Sequence, residues 1–553
     1  MSAFGWGDRE AIGGNRPADA EAWGEPARDA VAAAARDFDA AVLLHQRGML
    51  AEAEQIYRSV LKITFDCFHN LGLLLAQGGR FDEAAAMLRA AIRQDPRAAD
   101  VHSNLGNVLA ASGDRAGAAA SYRSAIAIKP DHAEAHNNLA TALLMQGEAT
   151  AAATHYHQAL AFRPDYVEAH VNLGNLFREQ GRLDEAAAHL KQALAARPGD
   201  FQLYCQLGNI QRRRGKPGEA MACYGRALAL KPDLVEAHCN LGVVCLEERD
   251  LVRARSCFER ALTLRPGTSE AWLGLGHVLQ QSRQYDEALA AYGKASALPE
   301  AWLGRGLVLQ RLNRPQEAIA AYRQALATGG DAQVALYNLA SLGAEAAPPA
   351  TPRQIVAKNY DQQAAQYDQR HLGPLKYQTP ALLFDAVTRF AAAPSMDILD
   401  LGCGTGLSGQ RFRPLARTLS GVDISAKMLE VARQRQIYDQ IVCGELIELL
   451  QAQAGSFDLV IAADVFVYIG DLTSVFGGVR QALRAGGLFG FSVEAGGEQD
   501  FALRPNLRYA HSPAYLRRLA QAHGFAVELI EAKILRQEDG VDVSGALAVL
   551  RRL

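Results

Sequence analysis

The chain has 553 residues, which exceeds one ordinary hydrophobic core, so we expect at least two domains. Its composition, 49% hydrophobic and 21% charged, is that of a globular protein and excludes wholesale disorder. With 57 Lys plus Arg against 60 Asp plus Glu, the balance argues against a dedicated nucleic-acid binder, which needs an excess of positive charge on one face.

The first 30 residues are predicted to form a flexible N-terminus. They are acidic and rich in Gly and Ala, and they lack the apolar core of a signal peptide. No apolar run in the chain reaches the ~18 residues that span a bilayer, so we expect no membrane insertion. The eight cysteines show no CxxC spacing, which favours buried, reduced thiols in a cytoplasmic protein and no metal site.

Four residue columns recur with a period of 34 through the first part of the chain. One column is proline: Pro96, Pro130, Pro164, Pro198, Pro232 and Pro266. A second is Gly or Ala: Gly72, Gly106, Ala140, Gly174, Gly208, Gly242 and Gly276. The third is alanine, from Ala84 to Ala288, and the fourth is aromatic or leucine, from Leu88 to Tyr292. Each unit therefore predicts two helices that approach closely on their small residues, with proline ending the second helix.

These columns resemble the tetratricopeptide repeat, a 34-residue helix-turn-helix unit. About nine units fit residues 31–343, beginning with a divergent unit at residues 34–64 and ending with a capping helix at residues 332–342. The resemblance implies an all-α superhelical array whose concave surface holds an extended peptide or a partner helix. We therefore expect a protein or peptide partner.

An asparagine column in the first helix of the units is the candidate partner-binding set: Asn70, Asn104, Asn138, Asn172 and Asn240, with Gln206 in the gap. Asparagine is a poor residue for a helix interior, yet its amide both donates and accepts hydrogen bonds, as a peptide backbone requires. The column resembles the asparagine ladder in the repeats of O-GlcNAc transferase, which implies contacts to substrate backbone. The alternative is that duplication copied a tolerated residue.

A proline-rich segment, residues 344–352, is interpreted as a stiff linker after the last repeat. From residue 353 to 553 the pattern alternates between strands and helices, which predicts a mostly parallel, doubly wound α/β sheet. Strands are expected at residues 396–401, 420–424, 457–463 and 488–493, helices at 427–436, 473–484 and 512–523, and an antiparallel hairpin at 526–553 around Glu538-Asp539-Gly540.

The chemistry is expected beyond the first of these strands, at Asp400-Leu-Gly402-Cys-Gly404-Thr-Gly406. Glycines just past a strand let a ligand approach the backbone, and Asp423, at the end of the second strand, can accept hydrogen bonds from both ribose hydroxyls. A nucleoside site follows, although residues 404–409 also satisfy the dinucleotide pattern GxGxxG. Asp400 favours a cationic amino-acid moiety, because a carboxylate there would repel a pyrophosphate.

The segment Ile398-Leu-Asp-Leu-Gly-Cys-Gly-Thr-Gly406 resembles the first motif of class I S-adenosylmethionine-dependent methyltransferases. Gly421-Val-Asp423-Ile-Ser resembles the ribose motif, and Gly444-Glu445-Leu resembles the adenine motif with Glu for the commoner Asp. The stretches 457–464 and 483–489 resemble the fourth-strand motif and the turn into strand five, with Ala485 where Pro is usual. The resemblance implies S-adenosyl-L-methionine as the cofactor, held by Asp400, Gly402, Gly404, Gly406, Asp423, Ile424, Glu445 and Asp464.

Two Tyr-Asp pairs, Tyr360-Asp361 and Tyr367-Asp368, are seven residues apart on a predicted helical stretch. They resemble the N-terminal helices that close over the cofactor in methyltransferases acting on small molecules and acyl carriers, which implies a cofactor contact from Tyr367. A plain packing helix is the alternative. Taken whole, the chain resembles the bacterial family of predicted methyltransferases that carry tetratricopeptide repeats, and residues 464–471, 491–494 and 508–512 extend that resemblance.

Methyl transfer from a sulfonium is an in-line displacement, so the protein mainly aligns the acceptor and excludes water, and a general base is optional. The catalytic candidates beyond strands four and five are Tyr468 and His511, together with Glu494 at the end of strand five. His511 is the preferred base, because an imidazole titrates near neutral pH. Arg508 is either a clamp for an acceptor carboxylate or an exposed loop residue. Carboxylate, hydroxyl and amine acceptors all stay open.

Three functions are compatible with these residues. In the first, the repeats capture a protein, and the C-terminal domain methylates that protein or a group attached to it. In the second, the enzyme methylates a small metabolite or a lipid-linked acceptor, and the repeats bind something unrelated. In the third, the repeats are a scaffold and methyl transfer is vestigial, which the intact Asp400, glycine loop and Asp423 argue against.

Overall fold

The computed structural model describes residues 25–60, 65–361, 363–373, 375–391, 395–538 and 540–553. Most of the predicted flexible N-terminus, residues 1–24, lies outside these ranges, as does Asp539 in the predicted hairpin turn. Residues 25–30 begin a helix, whereas flexible chain was expected there.

The first 340 residues are all-helical where they are described. The helices are α1 (Glu25–Gln46), α2 (Leu50–Val60), α3 (Phe65–Gln77), α4 (Phe81–Gln94), α5 (Ala99–Ser112), α6 (Arg115–Ile128), α7 (Ala133–Met145), α8 (Ala149–Phe162), α9 (Val167–Glu179), α10 (Leu183–Ala196), α11 (Phe201–Arg213), α12 (Pro217–Leu230), α13 (Val235–Glu247), α14 (Leu251–Leu264), α15 (Ser269–Gln281), α16 (Tyr285–Lys294), α17 (Pro299–Arg311), α18 (Pro315–Ala327) and α19 (Ala332–Ser341). Helices α1 to α18 pack as successive pairs, so the predicted all-α repeat array is confirmed.

The 34-residue period has a steric cause at the contact within each helix pair. A Cβ placed on Gly106 would lie 2.4 Å from Cε1 of Tyr122, and one on Gly208 would lie 2.6 Å from Cε1 of Tyr224. Both rings are fully buried. The glycine column is therefore the space into which the aromatic column of the second helix packs.

Two neighbouring units each contain a pair of histidines on their facing helices. The Nδ1 atoms of His136 and His155 lie 3.0 Å apart, as do those of His170 and His189. Nε2 of His136 lies 3.0 Å from the Pro130 carbonyl and must donate to it, so in the neutral ring Nδ1 accepts from Nδ1 of His155. Burial lowers the pKa of His136 and His155, and that of His189 to about 4.

The sheet domain begins with three helices and continues as alternating strands and helices. The helices are α20 (Arg353–Asp361), α21 (Tyr367–Leu372), α22 (Thr379–Thr388), α23 (Leu407–Phe412), α24 (Ala426–Gln434), α25 (Leu446–Ala452), α26 (Thr473–Ala482) and α27 (Pro513–Ala522). The strands are β1 (Met396–Leu401), β2 (Ala416–Asp423), β3 (Gln440–Cys443), β4 (Phe457–Ala462), β5 (Leu483–Ala495), β6 (Phe501–Leu503), β7 (Tyr509–His511), β8 (Phe525–Glu538) and β9 (Val541–Arg552).

These strands form one sheet in the order β3-β2-β1-β4-β5-β7-β6, with β9 pairing β5 and β8. Neighbours from β3 to β5 run parallel, and β9 is antiparallel to β5 and β8. All six β1 residues are buried, as expected for a strand covered on both faces. The doubly wound sheet and its C-terminal hairpin are thus confirmed, whereas β3, β6 and β7 were not predicted.

The chain divides into two compact units, residues 1–266 and 267–553. The second unit contains the last helices of the repeat region, the proline-rich segment 344–352 and the sheet domain, so this division does not fall at the expected linker. That segment is bonded to the sheet domain: Pro349 O accepts from Gly470 N at 2.8 Å, and Ala350 forms an antiparallel bridge with Ile469. We call residues 344–352 the strap, because Pro349 and Ala350 attach this segment to the sheet domain.

Across the described residues, no helix combines the length and apolar character needed to cross a membrane.

We expect acid to destabilise the array through its paired histidines. Burial lowers the pKa of His136, His155 and His189 in the folded chain, whereas in the unfolded chain these imidazoles have the ordinary pKa near 6.5. Below about pH 6.5 the unfolded chain therefore binds more protons than the folded chain. Stability is therefore present above about pH 6.5 and is lost as the pH falls. The thermal transition of the helical array, followed by circular dichroism, should show a lower midpoint at pH 5.0 than at pH 7.5.

The matched variant is His155→Gln with His189→Gln, which removes one titrating ring from each pair. It should lose about 1 kcal/mol per weakened hydrogen bond at pH 7.5 but show a smaller further loss at pH 5.0. His102→Gln is the control. His102 occupies the repeat position of His136 and lies beside Pro96 O, but the residue at the repeat position of His155 is Ser121, so His102 has no histidine partner there. An equal acid shift in wild type and the double variant would contradict the prediction.

Candidate functional site

The candidate site lies at the carboxyl ends of β1, β2 and β4, where the sequence predicted it. The loop after β1 contains Gly402, Gly404 and Gly406, all with positive φ angles of 62°, 53° and 94°. A Cβ on Gly404 would meet no atom within 4 Å, so this part of the loop presents bare backbone to open space. A Cβ on Gly402 would lie 2.5 Å from Val465, so that glycine is required for packing.

Asp423, at the end of β2, lies directly against this loop. Its Oδ2 accepts a hydrogen bond from Gly404 N at 2.9 Å, and its Oδ1 accepts one from Ser425 N at 2.8 Å. Each carboxylate oxygen has a second lone pair, so Asp423 can still accept from a ligand. Burial raises the pKa of Asp423. Ile424 follows it and is half-buried.

Asp400, the last but one residue of β1, is enclosed with only 1% of its surface exposed. Its Oδ2 accepts a hydrogen bond from Tyr438 at 2.7 Å, and its Oδ1 is buried with no hydrogen-bond partner among the described residues. Burial raises the pKa of Asp400 to about 7. Tyr438 was not predicted as a site residue. The sequence feature that goes with it is a pair of glycines, Gly409 and Gly421, because a Cβ added at either position would collide with the Tyr438 side chain.

The two Tyr-Asp pairs lie on separate helices, α20 and α21, and not on the single helical stretch that was expected. Asp361 Oδ1 accepts from Ser425 Oγ at 2.6 Å, next to Asp423. Asp368 Oδ1 accepts from Thr405 Oγ1 at 2.6 Å, inside the glycine loop. The aspartates thus fasten both helices to the two loops of the site, a role that the sequence-based expectation gave to neither.

Arg435 secures the second of these attachments and was also not predicted. Its guanidinium pairs with Asp368, and its Nε donates to Thr405 O at 2.6 Å. Because Thr405 lies between Gly404 and Gly406, this cation links α21 to the turn that presents the bare backbone.

The tyrosines of the pairs form an aromatic cluster with Tyr468, which follows β4. The Tyr360 hydroxyl donates to that of Tyr468 at 3.0 Å, and its ring centroid lies 6.0 Å from that of Tyr367. Tyr367 stacks on His371 with centroids 3.7 Å apart. Burial raises the pKa of Tyr360 and Tyr367, so both remain neutral donors. The structure therefore brings Tyr367 and Tyr468 together.

Glu445 lies at the start of α25, beside the end of β2. Gly444 N donates to the Asp423 carbonyl at 3.0 Å, and Glu445 Oε1 lies 3.6 Å from Nε of Arg353 in α20. The adenine-motif resemblance thus falls on a residue that adjoins the predicted ribose carboxylate.

A buried charge network lies at the ends of β4 and β5. Arg536, 4% exposed, bonds Asp464 at 3.2 Å and Glu538 at 2.9 Å and also pairs with Glu494. Arg508 Nη1 contacts Glu538 at 2.5 Å and Glu494 at 3.3 Å. Arg508 is therefore part of this network, and the exposed-loop alternative for it is wrong. Arg536 was not predicted, because only the tertiary fold brings β8 to this point.

Burial raises the pKa of both Asp464 and Glu494, and Arg536 compensates by supplying a hydrogen-bonded positive charge to each. Asp464 has a φ of 57°, and its Oδ1 accepts from Ser492 Oγ at 2.9 Å. These bonds hold Asp464 in an uncommon backbone conformation just beyond β4.

His511 is enclosed against the two residues that follow Tyr468. Its ring is fully buried, and its Nε2 lies 2.9 Å from Ile469 O and 3.0 Å from Gly470 O, so Nε2 carries the proton and donates. Its Nδ1 is enclosed and has no hydrogen-bond partner in the part of the chain described. Burial lowers the pKa of His511 to about 4. These contacts give His511 a structural role, so the structure does not support the expected general base.

The asparagine column makes bonds between neighbouring units. Nδ2 of Asn138 donates to Asn107 Oδ1 at 2.9 Å, and Nδ2 of Asn172 donates to Asn137 Oδ1 at 3.0 Å. The other members make these contacts: Asn104 with His69 at 2.8 Å, Asn240 with Asn209 at 3.2 Å, and Asn70 with Asp66 O in its own helix at 2.9 Å. The amide donors of Asn138, Asn172 and Asn240 thus bond neighbouring units, so replacing these residues with alanine would remove bonds that stabilise the array.

Comparisons with known proteins agree with both parts of the chain. A family model described as a methyltransferase domain matches residues 399–489. Tetratricopeptide repeat models match residues 69–133, 105–165, 137–201, 273–333 and 303–374, and further repeat models match 208–247 and 245–298.

Two similar proteins are O-methyltransferases. A malonyl-[acyl-carrier protein] O-methyltransferase of Serratia marcescens is 28% identical over 149 residues, which cover 26% of this chain and 54% of that protein. A ubiquinone biosynthesis O-methyltransferase of Thiobacillus denitrificans is 26% identical over 182 residues, covering 28% of this chain and 78% of that protein. The chain spans about half the length of the first of these.

Among solved structures, YrrB, a tetratricopeptide protein with an unusual peptide-binding site, is 19% identical with a TM-score of 0.31, covering 33% of this chain and 95% of that one. The chain is a methyltransferase-domain protein that carries a tetratricopeptide repeat array.

Proposed function

We propose that this chain is an S-adenosylmethionine-dependent methyltransferase that acts on an oxygen acceptor, delivered by a protein partner that the repeats recruit. The observation that carries the proposal is the open glycine loop bonded to Asp423 through Gly404 N. That arrangement offers bare backbone and a carboxylate with free lone pairs side by side.

The described residues fit this cofactor. Gly404 leaves room for a ligand at the backbone, and Asp423 can accept from ribose hydroxyls. The unpartnered Oδ1 of Asp400 can accept from an α-ammonium group. We assign Glu445, which follows the end of β3, to the adenine and Tyr367, in the aromatic cluster, to cover of the site. When bound, S-adenosylmethionine supplies a methyl group activated by a sulfonium.

A carboxylate is the acceptor that this site suits best. Asp464 and Glu494 bond Arg536 and His511 is enclosed, so none of these three residues is a free base. A carboxylate is ionised at neutral pH and needs no base to attack a methyl group. Arg508 uses Nη1 for its carboxylate partners, which leaves other guanidinium N–H donors for an acceptor.

The similarity to a malonyl-[acyl-carrier protein] O-methyltransferase supports this acceptor class, because the nucleophilic oxygen of a malonyl thioester is its carboxylate. It also supports delivery by a carrier protein. The second candidate is a small-molecule acceptor with an independent repeat array. The similarity to a ubiquinone biosynthesis O-methyltransferase favours it, as does the use of the asparagine amides within the array. A vestigial site is disfavoured because Asp400, Asp423 and the glycine loop are all in place.

Replacing Asp423 with alanine should weaken binding of S-adenosylhomocysteine by about 1.5–3 kcal/mol, because a charged hydrogen-bond acceptor is lost. Calorimetric titration of the full chain measures this. Asp542→Ala is the matched control, since that aspartate lies on the hairpin and bonds Gln537. Unchanged affinity in Asp423→Ala would mean that the ribose contact is misplaced, and binding of a nicotinamide dinucleotide would overturn the cofactor assignment.

Cofactor affinity should fall as the pH decreases through about 7, because the pKa of Asp400 is about 7 and only its ionised form attracts an ammonium group. Since this folded-state pKa lies above the unfolded value, the same ionisation should destabilise the cofactor-free protein as the pH rises through 7.

Asp400→Asn separates these effects. The variant should bind the cofactor weakly at every pH, yet resist thermal unfolding better than wild type at pH 8. Titrations between pH 5.5 and 8.5, with melting curves at each pH, provide the test. A pH-independent affinity in wild type would refute the proposed role of Asp400.

Incubation with tritiated S-adenosylmethionine and lysate of a deletion strain should place the label on protein. Mild base should release it as volatile methanol, because a carboxyl methyl ester hydrolyses under those conditions. Asp423→Ala should reduce the incorporation, and Asp542→Ala should leave it unchanged. Label confined to small molecules would favour the second candidate, and base-stable label would exclude a carboxylate acceptor.

A further inference from the structure

The last helix of the repeat region makes two hydrogen bonds beyond that region through one buried hydroxyl. Tyr337, in α19, is 2% exposed. Its hydroxyl donates to Leu507 O at 2.8 Å and lies 2.7 Å from Thr351 Oγ1. A hydroxyl has one proton, so the Thr351 hydroxyl is the donor in the second contact. One side chain thereby joins α19, the end of the strap and the turn between β6 and β7.

A second repeat residue holds the same turn. Gln310, in α17, donates from Nε2 to Pro505 O at 2.7 Å, while its Oε1 accepts from the Tyr322 hydroxyl at 2.9 Å. The strap adds a third contact, in which Tyr509 donates to Pro348 O at 2.5 Å. The turn at residues 504–508 is therefore held from the repeat region and from the strap.

This turn has a strained backbone that depends on such contacts. Leu507 has a φ of 61°, a left-handed conformation that residues with a Cβ adopt only at an energetic cost. Within the turn, Arg504 N donates to Arg508 O and Leu507 N donates to Arg504 O, each at 2.9 Å. The carbonyl of the strained residue is the atom that Tyr337 holds, so loss of that bond should let the turn relax.

Both segments that Tyr337 joins lead to the proposed acceptor side of the site. Arg508 follows Leu507 directly and carries the guanidinium that contacts Glu538 and Glu494. Thr351 N donates to the Tyr468 carbonyl at 2.8 Å, so the strap also fixes the backbone of Tyr468.

We infer that Tyr337, although it belongs to the repeat region, is a positioning residue for methyl transfer. It fixes Arg508 and Tyr468 on the acceptor side through the turn and the strap. The inference rests on the proposed function for the identity of the reaction. It makes the end of the array part of the site, and not only a means of recruiting a partner.

The test is Tyr337→Phe in the full chain, which keeps the buried ring and removes the hydroxyl. Tyr292→Phe is the matched control, because that tyrosine is 1% exposed and its hydroxyl bonds Gln280 within the repeats. Hydrogen exchange read by mass spectrometry should accelerate about fivefold in residues 501–511 for Tyr337→Phe and stay at the wild-type rate there for Tyr292→Phe. Gln310→Met should accelerate the same peptides.

A kinetic measurement separates positioning from a merely structural effect. The probe is the lysate fraction that wild-type protein labels with tritiated S-adenosylmethionine, supplied at graded dilution. For Tyr337→Phe, the acceptor concentration for half-maximal labelling should rise about threefold or more, while affinity for S-adenosylhomocysteine and the saturating rate stay within twofold. Wild-type exchange in residues 501–511, or an unchanged half-maximal concentration, would overturn the inference. Failure of wild type to bind S-adenosylhomocysteine would instead refute the proposed function, independently of the exchange comparison.

Discussion

The hydrogen bond from Gly404 N to Asp423 Oδ2 is the constraint on which the site depends. It joins the loop after β1 to the end of β2, and it forms only because parallel strands carry both segments to the same edge of the sheet. Asp361 and Asp368 then attach α20 and α21 to the residues that flank this bond. These polar contacts fix α20 and α21 against the site. Tyr360 of α20 then bonds the Tyr468 hydroxyl and packs beside Tyr367 of α21.

Charge burial organises the other half of the site. Asp464, Glu494 and Glu538 surround Arg536 and Arg508, and each carboxylate bonds at least one guanidinium. Such an arrangement does little for stability, because desolvation offsets much of the attraction. It does fix orientation, since Arg536, which is 4% exposed, bonds three carboxylates at once, and two of these also contact Arg508. A wall of side chains held by ion pairs suits a reaction in which the protein aligns an acceptor and excludes water.

The sequence alone predicted the repeat array and the glycine loop, because each has a local or periodic residue pattern. The 34-residue columns report a small residue packed against a large one in successive units, as Gly106 packs against Tyr122 and Gly174 against Leu190. The glycines of the loop after β1 report positive φ angles and, at Gly402, a contact with Val465 that leaves no room for a side chain. Features set by tertiary contacts were missed. His511 has the chemistry of a base, but in the fold its ring is buried and bonded to the carbonyls of Ile469 and Gly470. The sequence does not indicate these contacts.

For the asparagine column and the strap, the sequence identified the residues but not the groups to which they bond. Asn138 recurs at one helix position because its amide reaches Asn107 in the preceding unit, and a repeat pattern does not distinguish that bond from a bond to a partner. Proline in the segment 344–352 indicates a stiff chain, but only the fold shows that Pro349 and Ala350 pair with the loop after β4. Both cases concern the partner of a polar group, which local sequence leaves open.

The most direct test of the proposed site is a crystal structure of the full chain grown with S-adenosylhomocysteine. We expect the ribose hydroxyls within hydrogen-bond distance of Asp423, the amino-acid moiety beside Asp400 and the glycine loop unchanged. Density for the ligand away from the ends of β1 and β2, or none at saturating concentration, would contradict the assignment of this edge of the sheet as a methyltransferase site.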